Sequence, residues 1–339
     1  MRRSLLAFAL AVCLCPALAA FSIMSYNVEN LFDGVHDGTE FREFDPARGT
    51  WSEEMFQVRV TSLAEVIRKA VPGGPDVLLF QEIENKNALD GLVGTGLRGM
   101  GYRWSVIVPK KNLTANVAIV SRLPIVRVRT HYVPPWKGAG IVRDVLEAEI
   151  AVNGHTLYVL DNHWKSKTEG PKQTEPSRRA AASVLARRIE EILASDPAAD
   201  IVAAGDMNES FDEYRRIGER YPTALMPFSS TSPGSPGTIL LGAGGTAGAG
   251  VVLYEPWYEL DQVQGGSYAY QGEWLTVDHM LLSAGMFDTR GFSYRRGSFS
   301  PVRQPFLLDP AGLPRRWDGT SGARGLSDHL PIILSIDLH

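Results

Sequence analysis

The strongest constraint on this chain is a set of short, almost wholly apolar runs: "DVLLF" at 76–80, "DIVAAG" at 200–205 and "HLPIIL" at 329–334. Runs this short, with no polar side to turn toward water, read as strands covered on both faces. Two of them follow helical patterns. In "TWSEEMFQVRVTSLAEVIRKAVPGGP" the residues Phe56, Val60, Leu63 and Ile67 share one helical face, Thr50 with Glu53 forms a capping box, and Gly73-Gly74-Pro75 stops the helix. In "SRRAAASVLARRIEEILAS" the residues Ala181, Leu185, Ile189 and Ile192 form a stripe that Asp196-Pro197 ends. Further strand-like stretches are "FSIMSYNVENLF", where Ile23, Ser25 and Asn27 alternate in side with Met24 and Tyr26, "YRWSVIVP", "NVAIVSRLPIVRVR", "DVLEAEIAV", "HTLYVLDNHW" and "EWLTVDHMLLS". The predicted fold class is mixed α/β: about ten to twelve strands in sheets packed face to face, with helices outside.

The first twenty residues, "MRRSLLAFALAVCLCPALAA", have another character. A basic start, an apolar run from Leu5 to Leu14 and a small-residue exit at Ala17-Leu18-Ala19 predict a signal peptide over 1–20, too short in its apolar part to span a bilayer. Cys13 follows Val12 and Cys15 follows Leu14, which argues against a lipid anchor. The expected location is secreted or periplasmic, with no stable membrane anchor. Both cysteines fall in this segment, so residues 21–339 carry no thiol and no disulfide. Losing Arg2 and Arg3 takes the basic count from 34 to 32 against 38 acidic residues, a net charge of −6. A chain with that balance does not coat nucleic acid electrostatically; any polyanion contact is local. Residues 21–339 are read as one catalytic domain, with the Gly/Ser/Pro-rich stretch 230–250 as a surface loop.

Polar residues gather where strands end: Asn27, Glu82, His163 in "DNHWKS", Asp206 and Asn208 in "AAGDMNES", Asp278 in "TVDHML", and Asp328-His329 before the last strand. Each alone is an ordinary turn or cap residue. Together they mark the strand termini at which sites of α/β sheets collect. Within "VDHM", His279 points to the face opposite Asp278 and is read as structural; Tyr26 is read as core.

The stretches "SYNVENLFD", "LLFQEIEN", "LDNHWKSK", "AAGDMNES", "SYAYQGEWLTVDHMLLS" and "LSDHLPIIL" resemble, in order, the motifs of the endonuclease/exonuclease/phosphatase superfamily, most nearly secreted bacterial members that begin "YNVENLFD". The resemblance implies a deoxyribonuclease I-like four-layer sandwich and a phosphoester hydrolase. Phosphoester cleavage needs charge neutralised on the non-bridging oxygens, an activated water and a proton for the leaving oxygen. Asn27, Glu82 and Asp328 offer hard oxygen donors suited to Mg2+ or Mn2+. His329 is the candidate base, with Asp278 as the carboxylate that holds its tautomer. Asp206 would orient or deprotonate the water, and the choice of base between Asp206 and His329 stays open. Asn208 would donate to the phosphoryl oxygen, and His163 would protonate the leaving oxygen. Arg143 matches a family arginine that grips phosphate, and Lys165 is a further substrate-binding candidate.

In the pancreatic-type nucleases the histidine matching His163 pairs with a carboxylate from a preceding strand. The stretch "KKNLTANVAIVS" offers Thr114 and Asn116 there instead. No motif locates the structural Ca2+ found in some relatives. The substrate expectation is DNA, with RNA as a second polynucleotide. Lys110-Lys111, Arg127, Arg129, Lys137, Lys165, Lys167 and Arg178-Arg179 would supply local positive charge along a groove. The alternative is a lipid or small-molecule phosphoesterase, of the sphingomyelinase-like phospholipase C or sugar-phosphate phosphatase kind. For that reading "HYVPPWKGAGIV" would be an exposed aromatic hairpin, although Trp136 is expected to pack inward. A catalytically dead binding module is the third reading, and the completeness of the polar set argues against it.

Overall fold

The computed structural model describes residues 19–110, 113–136, 142–228, 237–242, 251–261, 265–317 and 325–339. Seventeen strands lie among them, more than the sequence suggests, because many are only two to four residues long. The first eight are β1 (Ala19–Leu31), β2 (Val77–Ile83), β3 (Trp104–Ile107), β4 (Asn116–Ser121), β5 (Ile125–His131), β6 (Val145–Val152), β7 (His155–His163) and β8 (Asp200–Asp206). After these come β9 (Leu225–Pro227), β10 (Ile239–Gly242), β11 (Val252–Tyr254), β12 (Tyr268–Tyr270) and β13 (Glu273–Leu275). The last are β14 (Asp278–Leu282), β15 (Phe292–Tyr294), β16 (Ser300–Pro301) and β17 (Ile332–Leu338). One mixed sheet runs β15-β17-β1-β2-β4-β3, with β16 on β17; the other runs β5-β6-β7-β8-β14-β11-β10-β9. The strands β12 and β13 form a separate hairpin.

The alternation along β1 and β2 explains the layering. Ile23, Val77 and Leu79 face the second sheet and join Val159, Ile201 and Leu281 in one buried cluster. Met24, Tyr26, Leu78 and Phe80 face the other way, against Phe56, Val60, Leu63 and Ile67 of helix α1 (Glu53–Ala70). The short helix α2 (Lys86–Gly91) lies in this outer cluster as well. Helix α3 (Pro171–Ser195) closes the far face of the second sheet with Ala181, Leu185, Ile189 and Ile192. The order helix, sheet, sheet, helix is the predicted four-layer α/β sandwich. Each large apolar side chain buried in it contributes about 1.5–3 kcal/mol.

Three expectations give way. The cap of α1 is Ser52, whose hydroxyl accepts from Met55 N at 3.3 Å, whereas Thr50 donates to the carbonyls of Arg42 and Asp45. Within the stretch expected to be a surface loop, Ile239, Leu240 and Leu241 are buried as strand β10, because these three apolar residues complete the edge of the second sheet between β9 and β11. Trp136 is 50% exposed and Tyr132 62% exposed, since Val133 takes the core position and Pro134-Pro135 turn the chain outward. The proposed signal peptide, apart from the first two residues of β1, and the rest of the 230–250 stretch lie outside the described residues. No helix among the described residues is long and apolar enough to cross a membrane.

Candidate active site

Strand register gathers the polar residues at one edge of both sheets. β1 and β2 run parallel with Asn27 opposite Gln81; β7 and β8 run parallel with His163 opposite Asp206; β14 pairs antiparallel to β8 with Asp278 opposite Asp206. β17 runs antiparallel to β1, so the residues that precede it, Asp328 and His329, arrive at the same edge. Two irregularities aim side chains there. The ladders of β1 and β2 both shift register near their ends, and Glu82 sits at φ 69. Asn208 sits at φ 50, just past β8. Left-handed backbone at non-glycine residues is costly and persists where the surroundings enforce it, as at functional sites.

The side chains meet across the two sheets. Asn27 Nδ2 donates to Asp206 Oδ2 at 3.0 Å and lies 3.3 Å from Glu82 Oε1. His163 Nε2 is 3.5 Å from Asp206 Oδ2 and 3.6 Å from Glu82 Oε1. His329 Nδ1 is 2.8 Å from Asp278 Oδ2, and its Nε2 faces Asp206 Oδ2 at 3.8 Å and Asp328 Oδ1 at 3.9 Å. Asn208 uses its amide on Asp206 Oδ2 and the Trp164 carbonyl, both at 3.1 Å, and its N–H donates to Asp206 Oδ1. It therefore positions Asp206, with its amide donors already engaged.

Burial dominates the electrostatics. It pushes the Asp206 carboxyl up to about 7, against the pull of the His329 imidazole. It also raises Glu82, an effect that Arg143 opposes and Asp328 reinforces. For His329 burial alone would lower the pKa, but the charges of Asp278, Asp206 and Asp328 outweigh it and hold the imidazole well above its usual value. His163 goes the opposite way, well below the usual imidazole value, through burial and the positive charges of Arg143 and His329. Its Nδ1 is buried with no partner among the described residues. Asn116 donates instead to the Glu84 carbonyl and Thr114 to the Thr39 carbonyl. His163 is thus a neutral imidazole facing two carboxylates, an arrangement that places its proton on Nε2.

Arg143 is desolvated, its Nε bonded to the Ala115 carbonyl, with the charges of Glu82 and Asp206 holding it in place. Lys165 pairs with Glu169 at 2.7 Å, a local contact. The anticipated basic lining is largely neutralised: Lys110 meets Asp144, Arg129 meets Glu147, Lys167 meets Glu213, and buried Arg178 meets Glu175 and Glu209. Lys111 and Lys137 lie outside the described residues. His279 is structural as read, buried between Glu255 and the Glu209 carbonyl, and Tyr26 is core.

Three contributors had no strong signal in the sequence. Tyr268 lies against the His329 ring at 4.7 Å between centroids. Arg316 bridges Asp328 at 3.3 Å and Glu29 at 3.0 Å. Arg59, fully buried on α1, donates to the carbonyls of Val28, Glu29 and Leu326 and so ties the end of β1 to the loop carrying Asp328 and His329.

The donor set suits a divalent cation. Glu82, Asp328 and Asn27 are hard oxygen ligands, and the mutual repulsion of Glu82 and Asp328 is what a cation relieves. Asp206, Asp278 and His329 also bring ligand atoms within 4.8 Å of one another, but Asp278 is already bonded to His329, and Asp206 already accepts from Asn27 and Asn208.

A sequence model of the Endonuclease/Exonuclease/phosphatase family matches residues 22–215. The chain belongs to this family. Family members are phosphoric ester hydrolases, and the reaction is metal-dependent as a rule. The match contains Asn27, Glu82, Arg143, His163, Asp206 and Asn208; the fold brings Asp278, Asp328 and His329 to them from beyond it. Among solved structures, truncated Caenorhabditis elegans TDP2 is 15% identical with a TM-score of 0.54, covering 94% of this chain and 98% of that one. D. rerio TDP2 complexed with single strand DNA product is 16% identical with a TM-score of 0.54, covering 94% and 99%. The human Nocturnin catalytic domain with bound sulfate anion is 14% identical with a TM-score of 0.52, covering 94% and 95%. These likenesses show the deoxyribonuclease I-like sandwich. No curated protein sequence matches the chain.

Proposed function

We propose that this chain is a secreted, divalent-metal-dependent phosphodiesterase that hydrolyses DNA, with RNA as a second polynucleotide substrate. The observation that carries the reading is the meeting of both sheets at Asp206, which accepts from Asn27 and faces His163 and His329. The N-terminal apolar segment supports export. A neighbour of the same fold, D. rerio TDP2, holds a single-strand DNA product, which supports a polynucleotide substrate.

A divalent cation on Asn27, Glu82 and Asp328 would neutralise charge on the phosphoryl oxygens. The chain's own groups handle the protons. His329 Nε2 stands 3.8 Å from Asp206 Oδ2, an ion-pair distance, and the charges of Asp278, Asp206 and Asp328 keep the proton on the imidazole. That leaves Asp206 Oδ2 to accept a proton from the attacking water, while Asn27 and Asn208 fix its orientation. Water oxygen bonds to phosphorus, the bond to the leaving oxygen breaks, and that oxygen takes up a proton from solvent water. His163, expected to protonate the leaving oxygen, is held neutral by burial and by the charges of Arg143 and His329. In this reading it would lend a hydrogen bond from Nε2–H to the phosphate and leave the proton to solvent.

The second reading, a lipid or small-molecule phosphoesterase, is favoured by the exposed rings of Tyr132 and Trp136. Parallel assays of the purified protein on plasmid DNA, RNA, sphingomyelin and a phosphomonoester, each with Mg2+ and with EDTA, separate the two. Plasmid nicking that needs metal supports the nuclease. Turnover of sphingomyelin or the phosphomonoester without nicking overturns it.

A further inference from the structure

A second acidic cluster lies apart from the candidate active site, where the chain leaves β1 and β2. There Glu84 N donates to the Leu31 carbonyl at 3.0 Å, and Asp33 N donates to Glu84 Oε2 at 2.8 Å. From Asp33 the chain loops through Asp37 and Glu40 and returns, so that carboxylate oxygens of Asp37, Glu40 and Glu84 lie within 4.8 Å of one another. The Asp33 carboxylate stands beside this group, its negative charge acting on Glu84, while the Asp33 backbone N–H binds Glu84 Oε2. The decisive feature is burial without partners. Glu84 is 2% exposed and Asp33 3% exposed, yet Glu84 Oε1 and Asp33 Oδ2 have no hydrogen-bond partner among the described residues. The ion pairs among the described residues include no lysine or arginine on any of these four; Glu40 pairs with the half-exposed His36 at 3.3 Å. Buried, unpaired carboxylates are costly unless a cation compensates them.

We propose that Asp37, Glu40 and Glu84 bind Ca2+, with the buried Asp33 carboxylate beside them adding negative charge. The donors are all hard oxygens, held on an irregular loop, which suits the large and geometrically tolerant Ca2+ over the strictly octahedral Mg2+. A neighbouring group, His36 with Glu40 and Asp45, is the zinc-like competitor. Asp37 and Glu40 accept hydrogen bonds from Thr39, Asp37 N and Gly38 N just as Asp45 accepts from Ala47 N and Arg48 Nε. What favours the first group is Glu84 Oε1, a buried oxygen with no partner among the described residues. The ion's role follows from its position. It clamps the exits of β1 and β2, the strands that deliver Asn27 and Glu82. Thr114 and Asn116 extend the clamp to β4 and its approach through the Thr39 and Glu84 carbonyls.

The test is calorimetric titration of CaCl2 into the metal-stripped protein, paired with thermal melts in Ca2+, Mg2+ and Zn2+. Wild type, Glu82→Gln, Asp37→Asn and the double variant Asp37→Asn/Glu40→Gln are compared. Glu82→Gln disables the candidate catalytic metal and is expected to keep one Ca2+ equivalent and a rise in melting temperature of about 2–5 °C. Asp37→Asn is expected to melt like wild type without metal, since Asp37 is exposed. The double variant also weakens the Glu40 bonds to Asp37 N and Gly38 N, so metal binding is read from the two loop variants together. Both lose affinity for that equivalent by about tenfold or more. A Ca2+ equivalent and melting shift unchanged by the loop variants would overturn the proposal, as would a shift produced by Zn2+ and not by Ca2+.

Discussion

His329 Nδ1 and Asp278 Oδ2 lie 2.8 Å apart although 51 residues separate them, and the contact exists only because β14 and β17 begin at the same edge of different sheets. It fixes the imidazole so that Nε2 faces Asp206. Asp278→Asn keeps the shape but removes the charge that holds His329 protonated and oriented. We expect kcat for a phosphodiester to fall by about 10²–10⁴-fold with KM little changed. Circular dichroism should show the fold retained. A variant with wild-type kcat would remove His329 from the chemistry.

Gly205 precedes Asp206 at φ 126, and a Cβ there would lie 2.0 Å from the Asn162 carbonyl oxygen on β7. That close approach is backbone against backbone, so no side chain can yield. Gly205→Ala should destabilise the protein by about 3 kcal/mol or more and displace Asp206. Urea denaturation measures the first effect and residual phosphodiesterase activity the second.

Glu147 on β6 is buried among Arg129, Arg188 and His131. Burial would raise its carboxyl, but the hydrogen bonds from His131 and Arg188 prevail and bring it from 4.5 down to about 2. The folded state therefore releases this proton more readily than the unfolded chain. The stabilisation is complete above about 4.5 and disappears as pH falls through about 2. Glu147→Gln should cost about 3 kcal/mol at neutral pH, with the gap to wild type closing on acidification. Denaturant midpoints followed from pH 7 to pH 2 check the sign.

The layers were legible because apolar alternation carries them: Ile23 against Met24, and Leu79 against Phe80, divide between the two cores as their spacing requires. The site was legible where polar residues end strands. It was illegible where partners come from elsewhere. Arg59 reads as an ordinary helix residue until the fold wraps three carbonyls around it. Tyr268 belongs to a hairpin whose contact with His329 no local pattern encodes. Local competition explains the misplaced helix cap, since the Thr50 hydroxyl has carbonyls within reach and Ser52 does not share them. The basic residues were visible, but the acids that neutralise most of them lie far away in sequence, as with Lys110 and Asp144 or Lys167 and Glu213.

The central claim is that residues from both sheets form one metal-dependent hydrolytic centre around Asp206. Its most direct test is the rate of phosphodiester hydrolysis by wild type and His329→Ala, each titrated with Mg2+ after EDTA treatment. The account predicts no wild-type activity without metal, recovery on adding Mg2+, and a variant slower by about 10²-fold or more at saturating Mg2+. Equal rates for the two proteins, or wild-type hydrolysis that persists in EDTA, would contradict it.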